Sequence, residues 1–385
     1  MAKPPRVAID FRWLDDLCLC NGQYRYAVDL IRGLAELDAD LQFVVLGSKP
    51  EPVAEIADVF AGREQWQYRP LPRTTGRRSL YREHWNYFRM LEGLGSSTSR
   101  SPNHGAPFDL LHVLHSFVPV SPPIPVIETV YDMMPELFPE YAATIQSRDY
   151  RIHKWAFTQF ATRAIAISQT TANDLHRLWN FRRDRIDVVY LGPKLPAANG
   201  TVTRSEVPII LSPYNLEPRK NLSRLLKAVA KLRCAGVQCK LVLFGHAAVN
   251  EEREREFQDA IARLRLESCV ELTGRISDEE LTGLYRRSSV FVFPSLYEGF
   301  GLPVLEAMSC GARVIAHDAS AMAEVVGDAG YLVDMNDPAA IANAIRRAMN
   351  DAEIGDRARL RAQQFSRERM ARETLEVYRN VLSRF

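Results

Sequence analysis

VFVFPSLYEGFGLPVLEAMSCGARVIAHD, residues 290 to 318, reads as a buried strand, a tight glycine-containing loop, a helix with Pro303 in its first turn, Gly311 as the stop, and a second strand. A short apolar run, a glycine loop and an amphipathic segment in this order are the repeating piece of a parallel sheet built from βαβ units. Working outward, the second half repeats it at PIILSPY (208 to 214), KLVLFG (240 to 245), CVELTG (269 to 274) and GYLVD (330 to 334). The first half does the same at VAIDF (7 to 11), FVVLG (43 to 47), LLHV (110 to 113), VIETVYD (126 to 132), AIAIS (164 to 168) and IDVVYLG (186 to 192).

The expected fold class is therefore α/β, with two doubly wound, Rossmann-like parallel-sheet domains facing a cleft. Residues 1–195 form the first, 196–207 a linker rich in Pro, Gly, Asn and Thr, 208–365 the second, and 366–385 a last helix that crosses back to the first. Open sheets of this kind bind ligands at the carboxyl ends of their strands. With 385 residues, a net charge of +2 and 46% hydrophobic residues, the chain has globular composition, and no apolar run is long enough to span a bilayer. The near-neutral balance and the absence of a recognition motif argue against nucleic acid. MAKPPRVAIDF runs straight into a strand without a signal-peptide core, so a cytoplasmic location is expected. The six scattered cysteines, Cys18, Cys20, Cys234, Cys239, Cys269 and Cys310, read as reduced thiols.

In the loop Glu298-Gly299-Phe300-Gly301-Leu302 the chain enters a helix whose free N–H groups and positive dipole end suit an anion, and a nucleotide diphosphate fits. Glu298 and Glu306 flank that place. Acidic groups beside a diphosphate are tolerated where they face hydroxyls, so sugar and ribose are their plausible partners, although Glu306 in a first turn also complements the dipole. This stretch resembles the Glu-x7-Glu signature of retaining, GT-B-fold glycosyltransferases of family 4 (group 1 glycosyltransferases), over PSLYEGFGLPVLEAMSCG and on through AEVVGDAGYLVD. The resemblance implies that Glu306 holds the donor ribose, Glu298 contacts the donor sugar, and the backbone at Phe300, Gly301 and Leu302 cradles phosphate.

A second match lies at SPYNLEPRKNLSRLLKAV, residues 212 to 229, where Arg219 and Lys220 open a helix at a good place for cations to meet phosphates. Family members usually carry arginine where this chain has Asn215, and Arg219 is the substitute. The LEPRKN wording resembles bacterial mannosyltransferases, which implies GDP-mannose as the favoured donor, with UDP-sugars and other GDP- or dTDP-sugars left open. Gly245, Arg275 and Ile276 fall where the family shapes its donor pocket, whereas His246 reads equally well as an ordinary loop histidine.

In the first half, CNGQYRYAVDLIRGLAEL (20 to 37) resembles the family's glycine loop, with Gly22 allowing close backbone approach and Gln23 and Tyr24 where a second glycine is common. Tyr131-Asp132 occupies the place of the family's His-Asp pair. A tyrosine hydrogen-bonds a hydroxyl but is no neutral base, which leaves His112 and His115 either as its substitutes or as a polar pair at a strand end. Residues 63 to 89 hold seven arginines against two glutamates, interleaved with aromatics such as Trp66, and suit either an anionic membrane surface with a lipid-diphosphate acceptor or a solvated face.

The expected reaction is transfer of a sugar from a nucleotide-sugar co-substrate to a glycan or lipid-linked hydroxyl, without a cofactor or metal. The Asp38/Asp40 pair reads as a solvated helix end. A sugar-nucleotide epimerase or glycan phosphorylase on the same scaffold, and a non-catalytic nucleotide-sugar-binding protein, remain as alternatives.

Overall fold

The computed structural model describes residues 3–16, 22–71, 108–115, 118–193, 205–245 and 250–384. Cys18, Cys20, His246, most of the expected linker and residues 72 to 89 of the basic-aromatic run lie outside the described residues. The chain divides into two units, Met1–Leu191 with Arg367–Phe385, and Gly192–Ser366.

The first unit carries seven parallel strands: β1 (Arg6–Asp10), β2 (Gln42–Gly47), β3 (Trp66–Pro70), β4 (Leu110–Val113), β5 (Val126–Val130), β6 (Arg163–Ala166) and β7 (Ile186–Val188), in the order β3-β2-β1-β4-β5-β6-β7. The second carries β8 (Ile209–Pro213), β9 (Lys240–Phe244), β10 (Val270–Gly274), β11 (Val290–Phe293), β12 (Val314–His317) and β13 (Tyr331–Val333), in the order β10-β9-β8-β11-β12-β13. Both are the doubly wound order, with switch points between β1 and β4 and between β8 and β11. Central strands β4, β5 and β11 are buried along their whole length, as strands covered by helices on both faces must be; β11 is an unbroken apolar run, whereas β4 carries His112 and β5 carries Glu128 and Thr129 in buried positions.

One strand differs from the sequence reading. Residues 66 to 70 of the basic-aromatic run form β3, the sheet edge, with Trp66 buried and stacked on Phe43 at 4.5 Å between ring centroids. The part of that run inside the described residues is thus a sheet edge anchored by its tryptophan.

The last helix, Arg367–Leu382, belongs to the first unit and packs on the helix Gly22–Glu36. Gly33 permits the close crossing, since a Cβ there would lie 2.9 Å from the Ala371 Cβ. Ion pairs Arg367–Glu36 (2.6 Å) and Arg379–Asp40 (2.8 Å) flank the seam, so Asp40, in the connection between the helix Gly22–Glu36 and β2, is tied to the chain's last helix.

Beneath it, Tyr378 Oη lies 2.6 Å from His112 Nδ1, His112 Nε2 lies 2.9 Å from Thr129 Oγ1, and Thr129 Oγ1 lies 3.0 Å from Tyr26 Oη. All four are buried, and burial pushes the His112 imidazole down to about 3, so it is neutral under ordinary conditions. Tyr378→Phe leaves one ring nitrogen without its partner and is expected to destabilise the first unit by about 1–3 kcal/mol. All five tryptophans (Trp13, Trp66, Trp85, Trp155, Trp179) belong to that unit, so urea unfolding followed by tryptophan fluorescence reads it directly. An unchanged midpoint would mean that the network adds nothing to stability.

Candidate active site

At the switch point of the second sheet, the loops leaving β8 and β11 meet. Glu298 Oε1 accepts from Lys220 Nζ (2.6 Å), Arg219 Nη1 (3.1 Å) and Ser295 Oγ (2.6 Å), which gathers both sequence-derived cations on one oxygen. Burial alone would raise the Glu298 carboxyl, but Lys220 and Arg219 outweigh it and hold the group below its usual range. It is ionised at neutral pH.

The two cations are not equivalent. Arg219 is buried, pairs also with Glu217 at 2.8 Å and donates to the Tyr297 carbonyl, so its fork braces the loop around Glu298. Lys220 is more exposed and lies over the Phe293 ring at 5.6 Å. Its ammonium carries three donors, and Glu298 occupies one of them.

Local backbone explains why the two loops register. Asn221 holds a left-handed conformation at φ 58°, which Asn tolerates better than most residues, and caps the helix Leu222–Cys234. Its amide donates to Met335 O (2.8 Å) and Pro294 O (3.3 Å), while Leu296 N donates to Arg219 O (2.8 Å). Sequence reasoning missed Asn221 and Ser295 as functional residues. The signal for Asn221 was its place between a Pro-containing turn and an apolar-periodic helix, where αL-tolerant residues collect.

The helix Leu302–Ser309 starts at Gly301, whose φ of 95° and whose closeness to Met322, where a Cβ would fall on the thioether methyl, make glycine obligatory. Phe300 is buried against Phe365 at 5.9 Å, which fixes the loop while leaving its backbone amides at the helix start. Glu306, in this helix, is buried to 9% exposure. On the neighbouring strands, Gly245 (φ 97°) donates its N–H to Gly274 O at 2.9 Å, so the Gly245 turn and the Arg275-Ile276 turn lie side by side at the carboxyl ends of β9 and β10.

In the first unit the structure decides between the two readings of His112. His112 sits in the sealed network under Tyr378 and so is no substitute for the family's histidine, because both its nitrogens are committed inside the core. Tyr131 Oη donates to Leu114 O at 2.8 Å, its ring rests edge-on against Tyr26, and burial raises its phenol well above the usual range. It is a fixed hydroxyl, not a base. Asp132 Oδ1 accepts from Met134 N at 2.9 Å, and Gly22 opens the helix Gly22–Glu36 with open space where a Cβ would stand. His115 is held by Asp10, at 3.1 Å. Among the described residues, no group of three or more His, Cys, Asp or Glu could hold a metal ion, and no helix is long and apolar enough to cross a membrane.

Residues 20–194 match the family model for Glycosyltransferase Family 4, and residues 198–367 that for Glycosyl transferases group 1. Over 295 residues the chain is 30% identical to O-antigen chain mannosyltransferase B of Escherichia coli, covering 72% of this chain and 73% of that protein. The chain belongs to glycosyltransferase family 4. This glycosyltransferase is also 29% identical over 233 residues to the serotype-specific mannosyltransferase WbdA of Escherichia coli, a match that covers 57% of this chain and 29% of that longer protein. Its fold is that of HepE from Anabaena, solved in complex with UDP and glucose, with a TM-score of 0.69 and 17% identity over 97% of this chain and 99% of that one. Glycosyltransferase structures of this kind are GT-B, and the two parallel sheets are its two Rossmann-like halves.

Proposed function

We propose that this glycosyltransferase moves mannose from GDP-mannose to a hydroxyl of a glycan or lipid-linked acceptor, with retention of configuration and without a metal ion, in bacterial polysaccharide or glycolipid synthesis. The observation that carries the reading is the meeting of Lys220 and Glu298 at the switch point, beside the Gly301 helix start. The mannosyltransferase names of its relatives support the sugar. In this reading Lys220 and the helix amides bind the donor diphosphate, Glu306 takes the ribose hydroxyls, Glu298 contacts the sugar, and Arg219 braces Glu298.

The acceptor oxygen bonds to the anomeric carbon as the bond to the diphosphate oxygen breaks on the same face. The acceptor proton passes to the departing phosphate, and nucleoside diphosphate leaves. Negative charge builds on that leaving group, where fixed cationic and amide donors stabilise it most. A lipid-linked acceptor would bring the chain to an anionic membrane, for which the basic run 72 to 89 supplies charge.

Calorimetric titration with GDP, UDP, dTDP and ADP tests the donor. GDP is expected to bind selectively, and Glu306→Ala to weaken it by about 10²-fold, the loss of hydrogen bonds to a charged acceptor. Nucleotide binding indifferent to Glu306 would remove the donor assignment.

A further inference from the structure

A cavity of about 230 Å³ opens at the carboxyl end of β5, lined by Gln23, Glu128, Tyr131, Asp132, Tyr141 and Tyr150 among others. Glu128 is its unusual feature. It stands within a strand whose other positions are apolar or hydroxyl-bearing, at 2% exposure, where a carboxylate is costly unless bonded. Its hydrogen-bond partner among the described residues is His153 Nε2, at 3.0 and 3.1 Å from its two oxygens. A carboxylate offers about four lone-pair positions, and a single N–H leaves most of that capacity for the cavity it lines. His153 is itself held edge-on by Phe157 and Trp179, so the acceptor oxygens have a fixed direction.

The rest of the wall defines the ligand's chemistry. Among the described residues lining it there is no lysine or arginine, while Glu128 and Asp132 are both acidic, so a phosphate or carboxylate ligand would be repelled. Tyrosine rings, Met133, Met134 and Pro135 offer apolar surface to C–H groups. The volume lies below the roughly 300 Å³ at which pockets for drug-sized ligands begin, which suits one ring. We propose that this cavity binds one neutral pyranose ring of the acceptor, with Glu128 accepting hydrogen bonds from its hydroxyls and His153 positioning Glu128. The role as acceptor subsite rests on the glycosyl-transfer reading, whereas the binding of a pyranose does not.

The test is saturation-transfer NMR and tryptophan fluorescence on the full chain with methyl α-D-mannopyranoside and, separately, mannose 6-phosphate, in the absence of nucleotide. The methyl glycoside is expected to bind saturably and the phosphate more weakly. Glu128→Gln, which keeps an oxygen for His153, and Tyr141→Ala at the cavity wall are each expected to weaken the glycoside by about 5-fold or more. No saturable binding by the wild type, equal binding by both variants, or tighter binding of the phosphate would overturn the site. GDP titration of the same samples separates the two readings. Loss of the pyranoside with GDP binding intact overturns this cavity alone, and pyranoside binding without any nucleotide binding upholds the sugar site while overturning its acceptor role.

Discussion

Glu298→Gln is expected to bind nucleoside diphosphate about 10-fold more tightly than the wild type while transferring sugar at least about 10²-fold more slowly. The Glu298 carboxylate shares one oxygen among Lys220, Arg219 and Ser295. A diphosphate arriving at Lys220 meets that negative charge and competes with it for the ammonium. Two unit charges a few ångströms apart near a protein surface interact by a few kcal/mol, so relieving part of this repulsion accounts for the ~1.4 kcal/mol that a tenfold change requires. Glutamine keeps a carbonyl oxygen for Ser295 and Lys220, so the loop stays braced. In the proposed roles transfer slows because Glu298 loses its charged contact to the donor sugar, and a contact that strengthens in the transition state appears in kcat. Calorimetry with GDP and steady-state transfer assays read the two effects separately. Weaker binding of GDP by the variant would show that Glu298 acts by holding the cations in place and not by competing for them. The pH dependence follows from the same geometry. Because Lys220 and Arg219 hold the carboxyl below its usual range, its ionised form and the stability it gives are present above the unfolded value near 4.3 and are lost only as pH falls towards the lower folded value. No acidic limb from Glu298 is expected between pH 5 and 7.

The strand, turn and helix proposed to hold the donor were legible as structure because their signals are local. The strand, the Gly301 turn and the helix bearing Glu306 follow one another within 17 residues from Val290 to Glu306, and φ 95° at Gly301 is the conformation that a glycine in that place announces. What escaped the sequence depends on residues far apart in the chain. Nothing near His112 declares that Tyr378, 266 residues later, closes over it, and so the sequence left this strand-end histidine open to a functional and a structural reading alike. Strand β3 escaped for another reason. WQYRP at a sheet edge buries only Trp66 and lacks the apolar run that marks a covered strand, so its arginine and aromatic residues resembled a binding face. Arg219 was legible as a cation near the site, but its role as a brace depends on Glu217 and Tyr297 converging from two loops, which no spacing reveals.

Asp10→Ala is expected to destabilise the first unit by about 3–5 kcal/mol, the consequence of removing the carboxylate that faces a buried guanidinium. Asp10 ends β1 at the switch point of the first sheet, and it and Arg12 both have no solvent exposure. Arg12 donates through Nε to Oδ1 at 3.0 Å and through Nη2 to Oδ2 at 3.1 Å, its backbone N–H adds a bond of 3.1 Å to Oδ1, and His115 Nε2 reaches Oδ2 at 3.1 Å. For a unit of this size each kcal/mol moves the melting point by about 2–4 °C, so a shift of roughly 10 °C in the tryptophan-detected transition is expected. Burial alone would raise the Asp10 carboxyl, but Arg12 and the hydrogen bonds hold it well below the usual range. Burial also pushes the His115 imidazole down, so the neutral ring serves as an N–H donor to Asp10 at pH 7. Asp10→Asn separates charge from hydrogen bonding. Because the folded carboxyl ionises below the unfolded value near 3.9, the stability it contributes is complete above about pH 5 and declines as pH falls below 4 towards the folded value. The advantage of the wild type over Asp10→Asn in urea unfolding is therefore expected to be flat from pH 5 to 8 and to shrink under acid conditions. A change in that advantage between pH 6 and 8 would place the titration on His115 and make the cluster an ion pair of the histidine instead of the arginine.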